Sequence, residues 1–448
     1  YKDLLDFYMA IFFKKTSNSL YLKNALILLL DSVIKILAGF ILGVLIARFF
    51  GPGKFGDINY VLAVVEILQI FVLFGFDDIV LRDLGQKNVA DDIILGSAII
   101  LRVLFAAIAY VVGIILFVFF FGKSFLPLYL ILGLQLFFYV LYILKPWFQI
   151  HSLNKYVAIS SQICFWVMAA AKVLVIVFNI ENLKIYALAI ELSVFCEVLC
   201  LYIFHAKYGH GITTWKANPS YQKKLLSDSL PVVFQSFAII IYMKTDQLMI
   251  GKMLNSEELG IYSIAVTISQ VVYFLPGTLI NAFYPKIAEK ARNKQPYEDD
   301  VSTLGAVLII PFILFALCCT FIIPHFIPLV FGEAYAKAGD VIKFHSWAGV
   351  FVALGCANSY WLVLNNLQRY SLYATIIGAV FNFALNLIFI PKFGINGAAI
   401  TTILGQMMAT FGAHFFFKDK RSLKIRTMCF CKIFTFKLYK DILLMMKK

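Results

Sequence analysis

Nine ionisable side chains lie inside stretches of this chain that are otherwise apolar: Asp31, Lys35, Glu66, Arg102, Lys172, Glu191, Glu197, Lys244 and Asp246. In lipid, a charge at a helix centre costs at least about 2.5–3.5 kcal/mol, so each position is a candidate functional site. Facing a water-filled cavity, Lys35, Arg102, Lys172 and Lys244 would supply positive potential for an anionic head group. The carboxylates Asp31, Glu66, Glu191, Glu197 and Asp246 are the candidates for coupling to movement of H⁺ or Na⁺.

Spacing sorts them. Asp31 and Lys35 share a helical face with the acid nearer the N-terminus, the favourable order for an intrahelical pair. At about 100° per residue, Glu191 and Glu197 lie about 120° apart and Lys244 and Asp246 about 160° apart, so neither pair forms one compact site. Lys35 and Glu66 fall near helix middles, whereas Lys172 and Asp246 are near enough to helix ends to snorkel. No such charge follows Asp246, which puts most of the expected chemistry in the first half of the chain.

Other chemistries lack their residues. There is no phosphate loop, GxSxG, HExxH or dinucleotide fingerprint, and the six His have no ligand spacing. Six of the eight Cys fall in apolar stretches without a CxxC pattern, as small hydrophobes do; Cys429 and Cys431 lie in the basic tail, reduced or palmitoylated. The expectation is a chain that is not an enzyme, with no catalytic residue, metal site or cofactor beyond a coupling ion.

The elements that must position these charges are membrane helices. The 448 residues are 62% hydrophobic and 14% charged, against about 45–50% and about 25% in soluble domains. The N-terminal segment does not read as a cleaved signal, because the apolar run after it is too long. Apolar runs predict twelve crossings, near 22–47, 58–76, 93–121, 126–150, 156–178, 183–205, 228–251, 260–284, 303–330, 341–364, 370–390 and 394–417. The break at 122–125 is the weakest, held by Gly122, Lys123 and the later Pro127.

Counting Lys and Arg by loop gives 27 on one side and 8 on the other, so both termini are expected in the cytoplasm. The net charge of +14 thereby needs no nucleic-acid partner; the tail, with Phe430, Phe434, Phe436 and Tyr439 among its cations, is expected on an anionic inner leaflet.

Segment 45–63 (LIARFFGPGKFGDINYVLA) aligns without gaps on 249–267 (MIGKMLNSEELGIYSIAVT), with Arg48 on Lys252 and Gly56 on Gly260. A tight outer hairpin in each half, with glycine where the backbone turns, implies two parallel six-helix lobes around a central cavity. The expected organisation is a cytoplasmic segment 1–21, an N-terminal lobe 22–205, a cytoplasmic linker 206–227, a C-terminal lobe 228–417 and a basic tail 418–448. Among helix-bending prolines (Pro231, Pro276, Pro311, Pro324, Pro328), the Pro276–Gly277 pair is the best hinge candidate.

MKTDQLMIGKMLNSEELGIYSIAVTISQVVYFLPGTLINAFYPKI (243–287), ARFFGPGKFGDINYV (47–61) and PKFGINGAAITTILGQ (391–406) resemble the oligosaccharide flippases, including O-antigen flippases, of the multidrug/oligosaccharidyl-lipid/polysaccharide exporter superfamily. The resemblance implies an all-α, two-lobed protein of the bacterial inner membrane. It would move undecaprenyl-diphosphate-linked oligosaccharide from the inner to the outer leaflet by alternating access, among membrane lipids and other polysaccharide-assembly membrane proteins. It also implies a cationic cavity, for which Lys35, Arg102, Lys172 and Lys244 are this chain's candidates, and Asp246 is the charge inside the matching motif. Other exporters of the superfamily, of teichuronic type or drug antiporters, remain alternatives, as does a membrane glycosyltransferase or polymerase.

Overall fold

A chain that must satisfy every backbone amide inside lipid has helices as its simplest solution. The computed structural model describes residues 19–209, 211, 214–417 and 420–433, with side chains from residue 38 onward except those of 281 and 282. Among the described residues there are helices and no strands. In chain order the α-helices are α1 (Ser19–Leu73), α2 (Phe76–Gln86), α3 (Asp91–Leu116), α4 (Leu126–Leu132), α5 (Gln135–Phe138), α6 (Leu144–Ile150), α7 (Asn154–Val177) and α8 (Leu183–Tyr208). They continue as α9 (Pro219–Met253), α10 (Ser256–Ser269), α11 (Phe274–Arg292), α12 (Glu298–Phe321), α13 (Ile323–Phe331), α14 (Ala338–Leu364), α15 (Gln368–Thr410) and α16 (Arg421–Ile433).

Ten helical runs among the described residues are long and apolar enough to cross a membrane. Two of them, of 49 and 48 residues, would each extend roughly 70 Å at about 1.5 Å per residue, more than twice the bilayer core of about 30 Å. Each is broken by a glycine in a conformation that L side chains rarely adopt: Gly51 (φ 69°) within α1 and Gly394 (φ 59°) within α15. Each is therefore two crossings, and the total is twelve. The break expected at 122–125 is present: a π-turn over Phe117–Phe121, Gly122 at φ 111°, then a 3₁₀ turn over Lys123–Phe125. Large apolar side chains such as Phe119, Val177, Leu329 and Phe416 face outward, as lipid contact requires.

Four expectations change. The turn of the first hairpin is made at Gly51, not Gly56, which sits in regular helix. Residues expected to form a loop after the second crossing fold into α2, an amphipathic helix that buries Phe76, Ile79, Val80 and Leu84. The linker is shorter than expected, because α9 begins at Pro219, capped by the Asn218 side chain. The tail does not all lie on a leaflet: α16 packs on α12 and α14, burying Arg426 and Cys429 and leaving Cys431 exposed. The tail beyond 433, with Phe434, Phe436 and Tyr439, is outside the described residues.

The two lobes meet most closely at the hairpin end. Gly56 and Gly260, aligned by the internal repeat, face each other across the lobe boundary: a Cβ at Gly56 would overlap the Ser256 carbonyl, and one at Gly260 would overlap the Pro52 carbonyl. Around this contact the Tyr335 hydroxyl donates to the Ala47 carbonyl (2.9 Å) and Lys252 Nζ donates to the Phe120 carbonyl (2.6 Å). At the opposite, basic end the bridge runs through α2 and the start of α9. There buried Asp83 accepts from Tyr221 (3.1 Å) and Lys224 (3.2 Å), and Arg82 pairs with Asp228 (2.6 Å).

Candidate functional site

The most developed polar cluster is enclosed within the C-terminal lobe and centres on Asp246, which is 4% exposed. Three helices build it. α9 carries Asp246, and α10 brings Tyr262, whose hydroxyl donates to Asp246 Oδ2 at 2.9 Å. α15 contributes from both of its halves, because the break at Gly394 folds it back on itself. Asn386, before the break, donates to Asp246 Oδ1 at 2.6 Å; Thr402, after it, donates its hydroxyl to Asp246 Oδ2. Asn382, one turn before Asn386, holds the Asn386 amide through its Oδ1 (3.2 Å), and the Thr401 hydroxyl donates to Asn386 Oδ1.

An enclosed carboxylate without hydrogen bonds would be severely unfavourable, so these neutral donors are what lets an acid stand here. No Lys or Arg takes part in its hydrogen bonds among the described residues, which leaves the site a concentration of oxygen atoms with one potential negative charge. Beside it opens a cavity of about 280 Å³, walled by Tyr242, Tyr262, Gln270, Tyr273 and Gln406.

The other charged candidates separate into distinct roles. Lys244, two residues from Asp246, points out of the lobe and pairs with Glu66 at 2.7 Å, so the two form a half-exposed ion pair between lobes. Their opposite facing from Asp246 is the geometry that the helical angle requires. Arg102 is not a cavity cation: it is fully buried (0% exposed), paired with Asp77 at 2.9 Å, and reaches the Leu73 and Tyr139 carbonyls at 3.4 Å. There it ties α3 to the bend before α2 and to the fourth crossing. Glu197 is likewise committed, to Lys145 (3.0 Å) and the Tyr142 hydroxyl (2.8 Å).

Glu191 is buried (4% exposed), and neither carboxylate oxygen has a hydrogen-bond partner among the described residues. Lys172 is half-buried on α7. Asp31 and Lys35 lie on α1, but their side chains are outside the described residues.

The hinge candidates lie at a real irregularity. Pro276 cannot donate to the Val272 carbonyl one turn back, and the eighth crossing is wound as a 3₁₀ turn over Gln270–Tyr273 at that point. Gly277 has open space where a side chain would be.

Counting charges missed most of the Asp246 cluster, since its other members are neutral. The available signal was the polar pair Asn382 and Asn386 at i, i+4 in an apolar helix, with Thr401 and Thr402 beyond the next glycine turn.

The geometry agrees with what the chain is similar to. Among solved structures, an inward-facing multidrug resistance MATE family transporter of the MOP superfamily superposes with a TM-score of 0.68 at 13% identity, covering 88% of this chain and 95% of that one. The lipid II flippase MurJ in an inward closed conformation gives 0.67 at 15% identity, covering 94% and 96%. At such identities these show the fold: twelve helices in two lobes.

A capsular polysaccharide biosynthesis protein of Staphylococcus aureus is 20% identical over 407 residues, 88% of this chain and 99% of its own length. An uncharacterized membrane protein of Methanocaldococcus jannaschii is 36% identical over only 84 residues, so the match spans 16% of that relative's length. The MatE family model matches residues 231–388. The family model described as polysaccharide biosynthesis protein matches residues 21–291, more than half of the chain. Twelve helices in two lobes and this match together make the chain a member of the polysaccharide biosynthesis protein family.

Proposed function

We propose that this protein flips a lipid-linked oligosaccharide, carried on a polyprenyl diphosphate of the undecaprenyl type, from the inner to the outer leaflet by alternating access. The observation that carries the reading is the asymmetry of lobe contact. Tight glycine packing closes the hairpin end, and the two lobes face each other below it across the half-exposed Glu66–Lys244 pair. With the basic end in the cytoplasm, we read this as an inward-facing state in which the Asp83–Lys224 and Arg82–Asp228 contacts between α2 and α9 part to admit a head group from the inner leaflet.

Lys244, Lys172 and Lys35 are the cations assigned to the diphosphate in this reading; Arg102 is left out because Asp77 already neutralises it. Lys244 would exchange Glu66 for the incoming phosphate, which loosens the lobe contact as substrate binds.

Coupling is assigned to Asp246. Its carboxylate, the Asn382 amide oxygen and the Thr402 hydroxyl are hard oxygen ligands of the kind Na⁺ takes, joined by the Asn386 oxygen once that carboxamide turns over, and protonation of the same carboxylate is the H⁺ version. Cation binding there would tie the two halves of α15 to α9, biasing one lobe shape over another.

The test uses proteoliposomes with a fluorescent polyprenyl-diphosphate oligosaccharide and a membrane-impermeant quencher. Protein-dependent loss of protection, accelerated by a Na⁺ or H⁺ gradient and uncoupled by Asp246→Asn, is expected. Wild-type protein that moves no lipid-linked sugar but expels cationic drugs would replace this reading with drug antiport, which the MatE match favours and the lysines assigned here to the diphosphate oppose.

A further inference from the structure

The sequence of α16, RSLKIRTMCFCKI, has the spacing of a helix that lies along a surface with its lysines outward. One cation breaks the pattern. Ser422, Ile425, Arg426 and Cys429 fall on one face, and that face is turned into the C-terminal lobe, leaving Arg426 only 3% exposed. Neighbouring Lys432 reaches Asp299 at 2.7 Å, but no carboxylate pairs with Arg426 among the described residues.

Its anchor among the described residues is neutral. With the Asn358 carboxamide turned to present its oxygen, Oδ1 accepts from Arg426 Nη2 (2.8 Å) and Nε (3.0 Å) and from the Ser422 hydroxyl (2.9 Å). Nη1 has no hydrogen-bond partner among the described residues. Arg426 lines the same cavity of about 280 Å³ that Asp246 lines, yet no ion pair joins the two, so the cavity has a carboxylate region and a separate cationic region. Ser359, Ser371 and Thr375 line the same cavity; the Ser359 and Thr375 hydroxyls donate to the Gly355 and Ser371 carbonyls and keep acceptor capacity for a ligand's hydroxyl.

A buried guanidinium without a counter-charge is strongly unfavourable, and its unused N–H groups favour an oxyanion. We propose that Arg426 forms a phosphate-binding site at the α16 end of the C-terminal lobe's cavity. The ligand is a phosphate group, delivered as free phosphate or as the head group of an anionic lipid entering from the membrane. The cavity accommodates a phosphate and its nearest substituents, not a whole sugar-linked lipid. The site therefore differs from the diphosphate site assigned to Lys244, Lys172 and Lys35 and stands whether or not the protein is a flippase.

The full-length protein, purified in uncharged detergent, tests both sources. For free phosphate, thermal unfolding is followed against potassium phosphate and against potassium chloride at equal ionic strength. For lipid, the protein is taken from nanodiscs of phosphatidylcholine with or without phosphatidate, and retained phosphatidate is counted by native mass spectrometry.

Wild type is expected to bind at least one probe, with apparent affinity at least about tenfold weaker in Arg426→Gln and within a few-fold of wild type in Arg426→Lys. Gly355→Met, at a lining position where an added Cβ would meet only Thr410 Oγ1 at 4.0 Å, fills the cavity and is expected to lose binding as well. It keeps the test decisive if Arg426→Gln does not fold. Binding of phosphate alone assigns a soluble ligand, and retention of phosphatidate alone assigns a lipid. Wild type binding neither probe, or Gly355→Met binding as tightly as wild type, overturns the proposal.

Discussion

Replacing Gly56 with Ala and then Val probes the contact on which the lobe arrangement depends. A Cβ at this position would overlap the Ser256 carbonyl oxygen and lie 3.0 Å from the Gly260 amide nitrogen, and both obstacles are backbone of the opposite lobe. Backbone cannot turn aside as a side chain does, so the clash is relieved only by separating the lobes. Overpacking of this kind costs about 1–3 kcal/mol, and Val sits at the upper end. Because the strain exists only with the hairpin end closed, it lowers the closed-to-open ratio by roughly 5–150-fold.

Spin labels at positions 54 and 337, on opposite lobes at this end, read the ratio in a background lacking the eight native cysteines. Pulsed dipolar spectroscopy should give one short distance for the parent and a growing longer population through Gly56→Ala to Gly56→Val. The same series at Gly260 should behave alike. A folded Gly56→Val protein with the parent's distance distribution would refute the idea that the glycine pair sets closure.

Asp77→Asn should destabilise the protein by about 3–5 kcal/mol by stranding the enclosed Arg102, seen as a lower unfolding temperature, without changing which substrate is moved. If substrate selectivity shifts instead, Arg102 belongs to the cavity after all. A double-mutant cycle on Glu66→Gln and Lys244→Met should give a coupling of about 1 kcal/mol or less, because the pair is half-exposed, and should show it in the distance ratio above rather than in unfolding. A large coupling in unfolding with none in the ratio would make the pair structural. Asn386→Leu should abolish any dependence of transport or stability on the coupling cation while leaving a folded protein; dependence equal to the parent's would remove Asp246 and its partners from coupling.

Some of this architecture is written in composition alone. Lipid gives backbone amides no alternative partner, so long apolar runs become helices, and the number of crossings could be read, including the weak break at Gly122, although the seventh begins at Pro219 rather than near 228. The helical angle between Lys244 and Asp246 foretold that they face different ways, because 100° per residue holds in any environment. The internal repeat identified Gly56 and Gly260 as equivalent. It gave them the wrong task, since close approach of two distant backbones leaves no mark in local sequence, whereas Gly51 makes the turn.

What required the tertiary structure was pairing. Depth in a helix says that a charge is expensive but not whether a neighbour neutralises it, so Arg102 and Glu197 read like cavity residues until Asp77 and Lys145 were beside them. Conversely, Asn382, Asn386, Thr401 and Thr402 carry no charge to attract notice, and become an acid's coordination shell only when Gly394 folds α15 back upon itself. The solvent of the chain was thus settled by its sequence, which fixes how much apolar surface must be hidden from water. Which buried charges remain free to act was decided by contacts between residues far apart in the chain, Glu197 with Lys145 or Asp246 with Asn386 and Thr402.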